Sequence, residues 1–269
     1  MTSEKIERLA DMKDYDIAYG TWDFDGKQVP VASQYRIGWR RMAATTGFRT
    51  LYPAIIPPGS VHVDPVHSAG SPSDVLNAVT FGISASSLVI DFFARSLGVS
   101  DLRGATVGML PTLTTKDLPR VAVEKYLKLN SLTSSYAPLW ERLLDSSWRP
   151  AAAYRFAKDR EIALAWIDAF VAHSFGLTAD ELCMVYRTQF PVMHRYDSED
   201  RYDRNGRRVP KDVMKLEAKL KDGEQLPEVE RTWTHPQSGV EYVFEYPFEP
   251  FDRENAYREA FDAIESSID

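Results

Sequence analysis

The chain has a single cysteine, Cys183, among its 269 residues. It therefore cannot form an intramolecular disulfide or hold a zinc ion through a cluster of cysteines. It also has no run of about eighteen apolar residues, and its N-terminus has no apolar signal-peptide core. These absences predict a soluble, cytoplasmic protein with no membrane partner.

Sequence motifs for catalysis are absent as well. The chain has no glycine-rich phosphate loop of the Walker or dinucleotide type, no Gly-x-Ser-x-Gly and no His-Glu-x-x-His. No residue is therefore predicted to be catalytic. Whether the chain is an enzyme stays open.

A third absence is that of acidic residues from residues 26–63, although the whole chain has a formal net charge of −7. The stretch carries one lysine and four arginines: Lys27, Arg36, Arg40, Arg41 and Arg49. Guanidinium groups pair with backbone phosphates and can donate two hydrogen bonds to a guanine edge. The four arginines are therefore candidate DNA contacts. A half-buried sheet with solvated arginines is the alternative, and composition favours neither.

The segment that follows, residues 62–73, is rich in Pro, Gly and Ser and is predicted to be a loop. Its histidines, His62 and His67, are candidates for probing the edges of DNA bases. Together with Asp64 they could instead hold a metal ion and support a hydrolase. Histidines in such a loop more often serve turns or contacts, so no metal site is predicted.

The pattern of apolar residues predicts an α+β fold in two regions. The first region, residues 1–118, is predicted to be a DNA target-recognition-like unit of strands, a loop, a helix and a final strand. After a short helical lead-in, its elements are two strands over residues 28–42 and 48–56, a helix over residues 77–97 and a buried strand over residues 107–113.

The second region, residues 119–269, is predicted to be mainly helical and to brace the first or dock a partner. Its predicted helices cover residues 121–129, 135–144, 159–175 and 181–188. Thr178 and Glu181 have the spacing of a capping box at the start of the last of these. A β-hairpin around residues 235–239 and a closing helix over residues 253–266 complete the prediction.

Seven segments occur in an order that resembles one protein family. They are Tyr35-Arg-Ile-Gly-Trp-Arg-Arg, Arg49-Thr-Leu-Tyr-Pro-Ala-Ile-Ile-Pro-Pro-Gly59, Ser87-Leu-Val-Ile-Asp-Phe-Phe-Ala-Arg95, Met109-Leu-Pro111, Gly176-Leu-Thr-Ala-Asp-Glu-Leu182, Tyr186-Arg-Thr-Gln-Phe-Pro191 and Arg231-Thr-Trp-Thr-His-Pro-Gln-Ser-Gly239. This order is similar to the C-terminal half of the large adenine-specific DNA methyltransferases of restriction–modification and phage-defence systems, including the BREX and DISARM types. The similarity covers roughly residues 30–255.

In that family the C-terminal half contains the target-recognition region, and the S-adenosylmethionine site and the Asn-Pro-Pro-Tyr motif precede it. The resemblance implies a module that recognises the sequence of double-stranded DNA, with the four arginines in its first strands and no cofactor in this chain. Its partner would be the methyltransferase catalytic half or another subunit of the defence system. Here the frame is Ile56-Pro-Pro-Gly59, with no carboxamide before the prolines and no aromatic ring after them, so methylation is not implied.

A protein of a different class also fits the sequence. An assembly component of a defence complex would bind partner subunits through apolar and aromatic surfaces and would not read DNA. The acidic character of the chain outside residues 26–63 suits this alternative.

Overall fold

The computed structural model describes residues 20–221 and 223–266, apart from the side chain of Asp117. Most of the predicted helical lead-in therefore lies outside the described residues. The chain divides into two compact units. The first contains the described residues up to Thr45 together with Thr50–Pro150. The second contains Thr46–Arg49 and the described residues from Ala151 onward. Small antiparallel sheets accompany helices, which confirms the predicted α+β class.

The strands of the first unit are β1 (Thr21–Phe24), β2 (Lys27–Pro30), β3 (Arg36–Arg40), β4 (Pro53–Ile56) and β5 (Val66–Ala69). Its α-helices are α1 (Val75–Ala85), α2 (Leu88–Ser96), α3 (Gly104–Val107), α4 (Arg120–Asn130) and α5 (Ala137–Leu144). Short 3-10 helices lie at Val31–Ser33, Thr115–Asp117 and Ser134–Tyr136. β1 and β2 pair with each other, and β4, β3 and β5 form a three-stranded antiparallel sheet in that order.

The three-stranded sheet packs one face against α1. Ile37 of the central strand β3 pairs with Ile55 of β4, and alternate residues of a strand face the same side, so Ile37 and Trp39 share this face. Both side chains are buried. The Trp39 ring meets Phe81 of α1 edge-on, with ring centroids 6.0 Å apart. This face of the sheet therefore forms part of the apolar core.

A glycine allows α1 to approach its neighbours closely. A Cβ atom at Gly82 would lie 2.7 Å from Cζ of Tyr126 in α4 and 2.8 Å from Cδ1 of Ile37. Both distances are shorter than van der Waals contact, so a larger residue would force α1 to move. Glycine lowers helix propensity in the middle of α1, and close packing explains its presence.

The segment beyond residue 118, where the sequence predicts a boundary, packs with the sheet. The backbone N–H of Ile55 donates to Oδ1 of Asn130 in α4 at 3.0 Å. Tyr136 Oη donates to the carbonyl of Ile55 at 3.0 Å, and Tyr35 Oη donates to that of Ser135 at 2.9 Å. The first unit therefore includes α4 and α5, and the division between units lies after Pro150 rather than at residue 118.

The predicted long helix and the predicted last strand of the first unit are not found as predicted. The sequence predicts one helix over residues 77–97, but α1 and α2 are bent by 73° relative to each other. The break occurs because Ser87 is the N-cap of α2, with its Oγ accepting from the N–H of Ile90 at 3.3 Å. The predicted strand over residues 107–113 is also wrong. Its buried residues, Val107 and Leu110, are a helical turn apart, and Pro111 cannot donate to a ladder.

The second unit is mainly helical. Its α-helices are α6 (Ala157–Ser174), α7 (Ala179–Gln189), α8 (Pro191–Glu199), α9 (Lys211–Glu217), α10 (Glu228–Arg231) and α11 (Arg253–Glu265). The strands β6 (Thr232–Thr234) and β7 (Glu241–Val243) form an antiparallel hairpin, and a 3-10 helix at Pro150–Ala152 spans the point of division. The predicted hairpin, closing helix and capping box are confirmed. Nowhere among the described residues does a single helix have the length and apolar character needed to cross a membrane.

A buried ionic cluster joins four helices of the second unit. Arg253 of α11 donates through Nε to Oδ2 of Asp197 in α8 at 2.6 Å, and through Nη2 to Glu161 of α6 at 2.5 Å. Tyr186 of α7 donates to the same Asp197 oxygen at 2.8 Å. Burial alone would lower the pKa of Arg253, but Tyr257, Asp197 and Glu161 hold it well above its ordinary value. The guanidinium therefore remains charged inside the unit.

Candidate nucleic-acid interface

The acid-free stretch does not form one basic surface. Arg36 of β3 has only 3% of its surface exposed. Its Nη2 donates to the carbonyl of Ser60, and its Nη1 lies 3.5 Å from Oγ of Ser68 in β5. This guanidinium therefore holds the loop after β4 against the sheet and is inaccessible to a phosphate. Burial corrects the prediction that Arg36 contacts DNA.

Arg49 is buried in the second unit. Its Nη2 lies 3.1 Å from Oδ2 of Asp168 in α6, and that carboxylate has no exposed surface. Tyr257 of α11 donates to the same oxygen at 3.0 Å. A carboxylate removed from water needs such partners because an uncompensated buried charge is strongly destabilising. Arg49 is therefore an internal partner of Asp168, and the prediction that it contacts DNA is also corrected.

His67 lies in a strand and not in a loop. The sequence predicts a loop over residues 62–73, but Val66–Ala69 form β5, the third strand of the sheet. His67 is opposite Trp39 of β3 in the register, and the two ring centroids are 6.3 Å apart. The half-buried imidazole therefore packs on the face of the sheet that carries Trp39.

His62 lies next to the buried guanidinium of Arg36. Its Nε2 is 2.8 Å from Oγ of Ser68, and burial chiefly, together with the charge of Arg36, lowers the pKa of the imidazole. A neutral imidazole offers little attraction to a phosphate. The metal alternative finds no support either, because the described residues contain no group of three or more His, Cys, Asp or Glu side chains that could hold an ion.

Arg41 takes part in a network of ion pairs at the end of β3. Its Nη1 lies 2.6 Å from Oδ2 of Asp64, and its Nε lies 3.5 Å from Oδ1 of Asp101. Arg103 contacts the other oxygen of Asp101 at 2.8 Å. The hydrogen bond from Arg103 is the main cause that lowers the pKa of Asp101 and keeps this carboxyl ionised. The two carboxylates therefore offset much of the positive charge of Arg41 and Arg103.

Backbone hydrogen bonds fix the segments that carry this network. The N–H of Arg41 donates to the carbonyl of Pro65 at 2.9 Å, and the N–H of Leu102 donates to the carbonyl of Arg41 at 2.7 Å. Nε1 of Trp39 also donates to the carbonyl of Leu102, at 2.7 Å. The residues after β3, before β5 and around Leu102 therefore meet at one end of the sheet.

Arg40, the last residue of β3, differs from the other three arginines. Its side chain is exposed, and its guanidinium carbon lies 5.0 Å from the centre of the Tyr52 ring. Across the described part of the chain, no residue forms a hydrogen bond or an ion pair with this guanidinium. A cation held over an aromatic face is attracted by the ring quadrupole. Arg40 is thus oriented by an aromatic ring and keeps its hydrogen-bond donors for another molecule.

Two exposed apolar side chains belong to the same end of the sheet. Met42 is 64% exposed and Val63 is 76% exposed. They place exposed apolar atoms beside the charged groups at this end of the sheet. We use the name sheet-end surface for the set Arg40, Arg41, Met42, Tyr52, Val63, Asp64, Asp101 and Arg103.

The chain matches no protein-family model, no curated protein and no solved structure. Roles at the sheet-end surface are therefore inferred from contacts and charges.

The sequence does not single out Tyr52, Asp101 or Arg103. Asp64, however, is the first acidic residue after the acid-free stretch, and this position could have identified the partner of Arg41. No spacing signal joins Arg40 to Tyr52, because their contact depends on the register of β3 with the segment that leads into β4.

Proposed function

We propose that this chain is a DNA sequence-recognition module of an adenine-specific DNA methyltransferase, acting in the cytoplasm in restriction–modification or phage defence. The observation that carries the proposal is the exposed Arg40, oriented by Tyr52 and without a carboxylate partner among the described residues. An exposed arginine that an aromatic ring holds in place can attract the phosphates of double-stranded DNA by its charge. Its N–H groups can donate hydrogen bonds to the phosphate oxygens and to acceptors on the base edges. The ordered sequence segments supply the family to which we assign it.

The proposal leaves methyl transfer to residues that this sequence does not contain. The Pro-Pro pair that resembles part of a methylation motif lies in a structural turn after β4. Gly59 closes this turn with a φ of 79°, a conformation that favours glycine, and its N–H donates to the carbonyl of Ala32 at 2.8 Å. Neither a carboxamide nor an aromatic ring adjoins the prolines, so this turn cannot hold an adenine. The S-adenosylmethionine site would belong to the catalytic half that partners the module.

A binding measurement with duplex DNA tests the proposal. We expect the full chain to bind duplex DNA at low salt, with a logarithmic salt slope of about −0.9 for each phosphate contacted. Arg40→Glu should weaken binding about tenfold or more, because it replaces a charge-assisted donor by a repelling carboxylate. The matched control is Arg142→Glu, the same charge reversal at an exposed position of α5. Equal binding by both variants would remove Arg40 from the interface.

A second function, assembly with partner proteins, is favoured by one observation. Met42 and Val63 are exposed, and they lie beside arginines whose charge Asp64 and Asp101 already offset. Such a mixed surface would dock a subunit of a defence complex without contacting DNA. Salt separates the two functions. Binding that persists unchanged from low to high salt, and that is lost in Met42→Asp but not in Arg40→Ala, would favour protein docking.

A further inference from the structure

Arg40 is the only arginine of the sheet-end surface, as far as the chain is described, whose guanidinium contacts no carboxylate. Arg41 contacts Asp64 at 2.6 Å, and Arg103 contacts Asp101 at 2.8 Å. Arg40 has neither an ion pair nor a hydrogen bond from its guanidinium to any described residue. An arginine has five N–H donors in a planar fork. The surface therefore presents one guanidinium without a carboxylate partner beside two that each have one.

The register of the sheet determines where this fork lies. Trp39 of β3 is opposite Pro53 of β4, so the next antiparallel pair outward is Arg40 opposite Tyr52. Side chains opposite each other on neighbouring strands are close enough to interact. On its other side, Arg40 pairs with Val66 of β5. The arginine is therefore anchored in the central strand, and the Tyr52 ring restricts where its guanidinium can lie.

The charges around Arg40 suit a base edge better than a phosphate. Phosphate-binding surfaces gather several uncompensated cations, whereas here Asp64 and Asp101 offset Arg41 and Arg103. An exposed carboxylate beside the arginine would repel the DNA backbone. A guanine edge is neutral and presents two acceptors, O6 and N7, that match the arginine fork, while adenine presents one acceptor and one donor there. Met42 and Val63 add apolar surface of the kind that contacts a thymine methyl group.

We propose that Arg40 reads a guanine in the major groove of the target DNA, and that Tyr52 is the positioning residue that orients its fork. This inference rests on the proposed function, since it assigns a specificity-determining residue within that recognition module. It predicts that the target site contains at least one guanine.

The test selects bound sequences from a random duplex library with the full chain at low salt. The wild-type protein should enrich a motif that contains a guanine. Arg40→Lys keeps the charge but loses the planar fork that matches O6 and N7, so it should reduce the preference for that guanine, by up to about 150-fold, while other positions of the motif persist. Arg142→Lys, at an exposed position of α5, is the matched control and should leave the motif unchanged.

Two further measurements separate base reading from a merely structural role. Replacing the selected guanine by 7-deazaguanine removes the N7 acceptor, and it should weaken binding by the wild-type protein more than binding by Arg40→Lys. Tyr52→Leu should lose part of the preference, and Tyr52→Phe, which retains the ring, should recover it. Circular dichroism of each variant checks that the fold is retained.

The outcomes distinguish the inference from the proposed function. A motif that is the same in the wild type and Arg40→Lys, with or without a uniform loss of affinity, would overturn base reading by Arg40 and leave DNA recognition standing. Enrichment of no motif despite binding would overturn sequence recognition, and no binding at low salt would overturn the proposed function itself.

Discussion

Arg40 and Arg49 belong to the same acid-free stretch, yet the first is exposed at the end of a sheet and the second is buried beside Asp168 in a helical unit. Local sequence offers no reason for this difference, since both arginines lie among apolar and aromatic residues. The difference comes from partners distant in the chain: a tyrosine ring for Arg40 and a buried carboxylate for Arg49. Arginine therefore has a different role in each unit: Arg40 is exposed and has free hydrogen-bond donors, whereas Arg49 is buried in an ion pair.

The energetics of the two environments differ in kind. An exposed ion pair contributes about 0–1 kcal/mol, because water and salt screen it and ordering two long side chains costs entropy. Removing one member of a buried pair costs about 3–5 kcal/mol, because it leaves an uncompensated charge without water. Arginines of the second unit should therefore govern stability, and those of the sheet-end surface should govern binding.

The largest expected effect is loss of stability in Arg253→Met. This change leaves the carboxylates of Asp197 and Glu161 without the guanidinium they contact, so the second unit should lose about 3–5 kcal/mol. Hydrogen exchange of the α6 and α11 amides measures the free energy of opening of this unit. Binding of DNA through the first unit's surface should persist where the chain remains folded.

The matched control for Arg253→Met is Lys215→Met in the same unit. Lys215 contacts Asp212 at 3.1 Å, and its side chain is 72% exposed, so the loss should be about 0–1 kcal/mol. A similar small loss in both variants would show that the buried cluster contributes no more than a surface pair, and the contrast between the units would fail.

A smaller loss of stability is expected in the first unit from Gly82→Ala. Helix propensity alone would make alanine about 1 kcal/mol more favourable here. The added Cβ would meet Tyr126 and Ile37 at less than contact distance, so we expect a net loss of about 1–3 kcal/mol. Hydrogen exchange of the α1 and α4 amides provides the measurement.

Gly104→Ala is the control for this packing effect. Apart from its chain neighbours and the backbone of its own helix, no atom lies within 4 Å of a Cβ at Gly104, in the first turn of α3. This variant should lose no stability. If Gly82→Ala proved as stable as Gly104→Ala, α1 would have room for a Cβ at position 82. The core of the first unit would then be less tightly packed than the distances to Tyr126 and Ile37 indicate.

Much of the second unit could be predicted from the sequence because its signals are local. Helical periodicity predicts α6, and the spacing of Thr178 and Glu181 predicts the start of α7, where the N–H of Thr178 donates to Glu181 at 2.8 Å. Turn residues around Gly239 predict the hairpin of β6 and β7. Each of these signals lies within a few residues of the feature that it predicts.

The candidate site was less predictable because its features depend on distant residues. Arg49 finds its carboxylate 119 positions later in the chain, at Asp168, so no window of sequence shows that it is internal. β5 is short and lies in a segment whose prolines and glycines indicate a loop, and only pairing with β3 makes it a strand. Alternation correctly places Ile37 and Trp39 on one face, but it does not reveal that Arg36 on the other face is covered as well.

The smallest expected effect is that of Asp64→Asn at the sheet-end surface, where stability and binding should separate. Asp64 contacts Arg41 at 2.6 Å, but its side chain is largely exposed, so the first unit should lose only about 0–1 kcal/mol. The same change removes the nearer of the two carboxylates that contact Arg41 and leaves Asp101 at 3.5 Å. If the surface faces DNA, affinity at low salt should rise by up to about fivefold, and the salt slope should steepen.

Glu141→Gln removes the same charge from an exposed position of α5 and controls for the overall charge of the protein. Fluorescence anisotropy with a labelled duplex, measured over a range of salt, compares the two variants with the wild type. A gain in Asp64→Asn that Glu141→Gln does not share would identify Arg41 as a contact that Asp64 restrains. Equal gains in affinity in both variants would mean that DNA binding depends only on the net charge of the protein. The sheet-end surface would then not be the DNA interface.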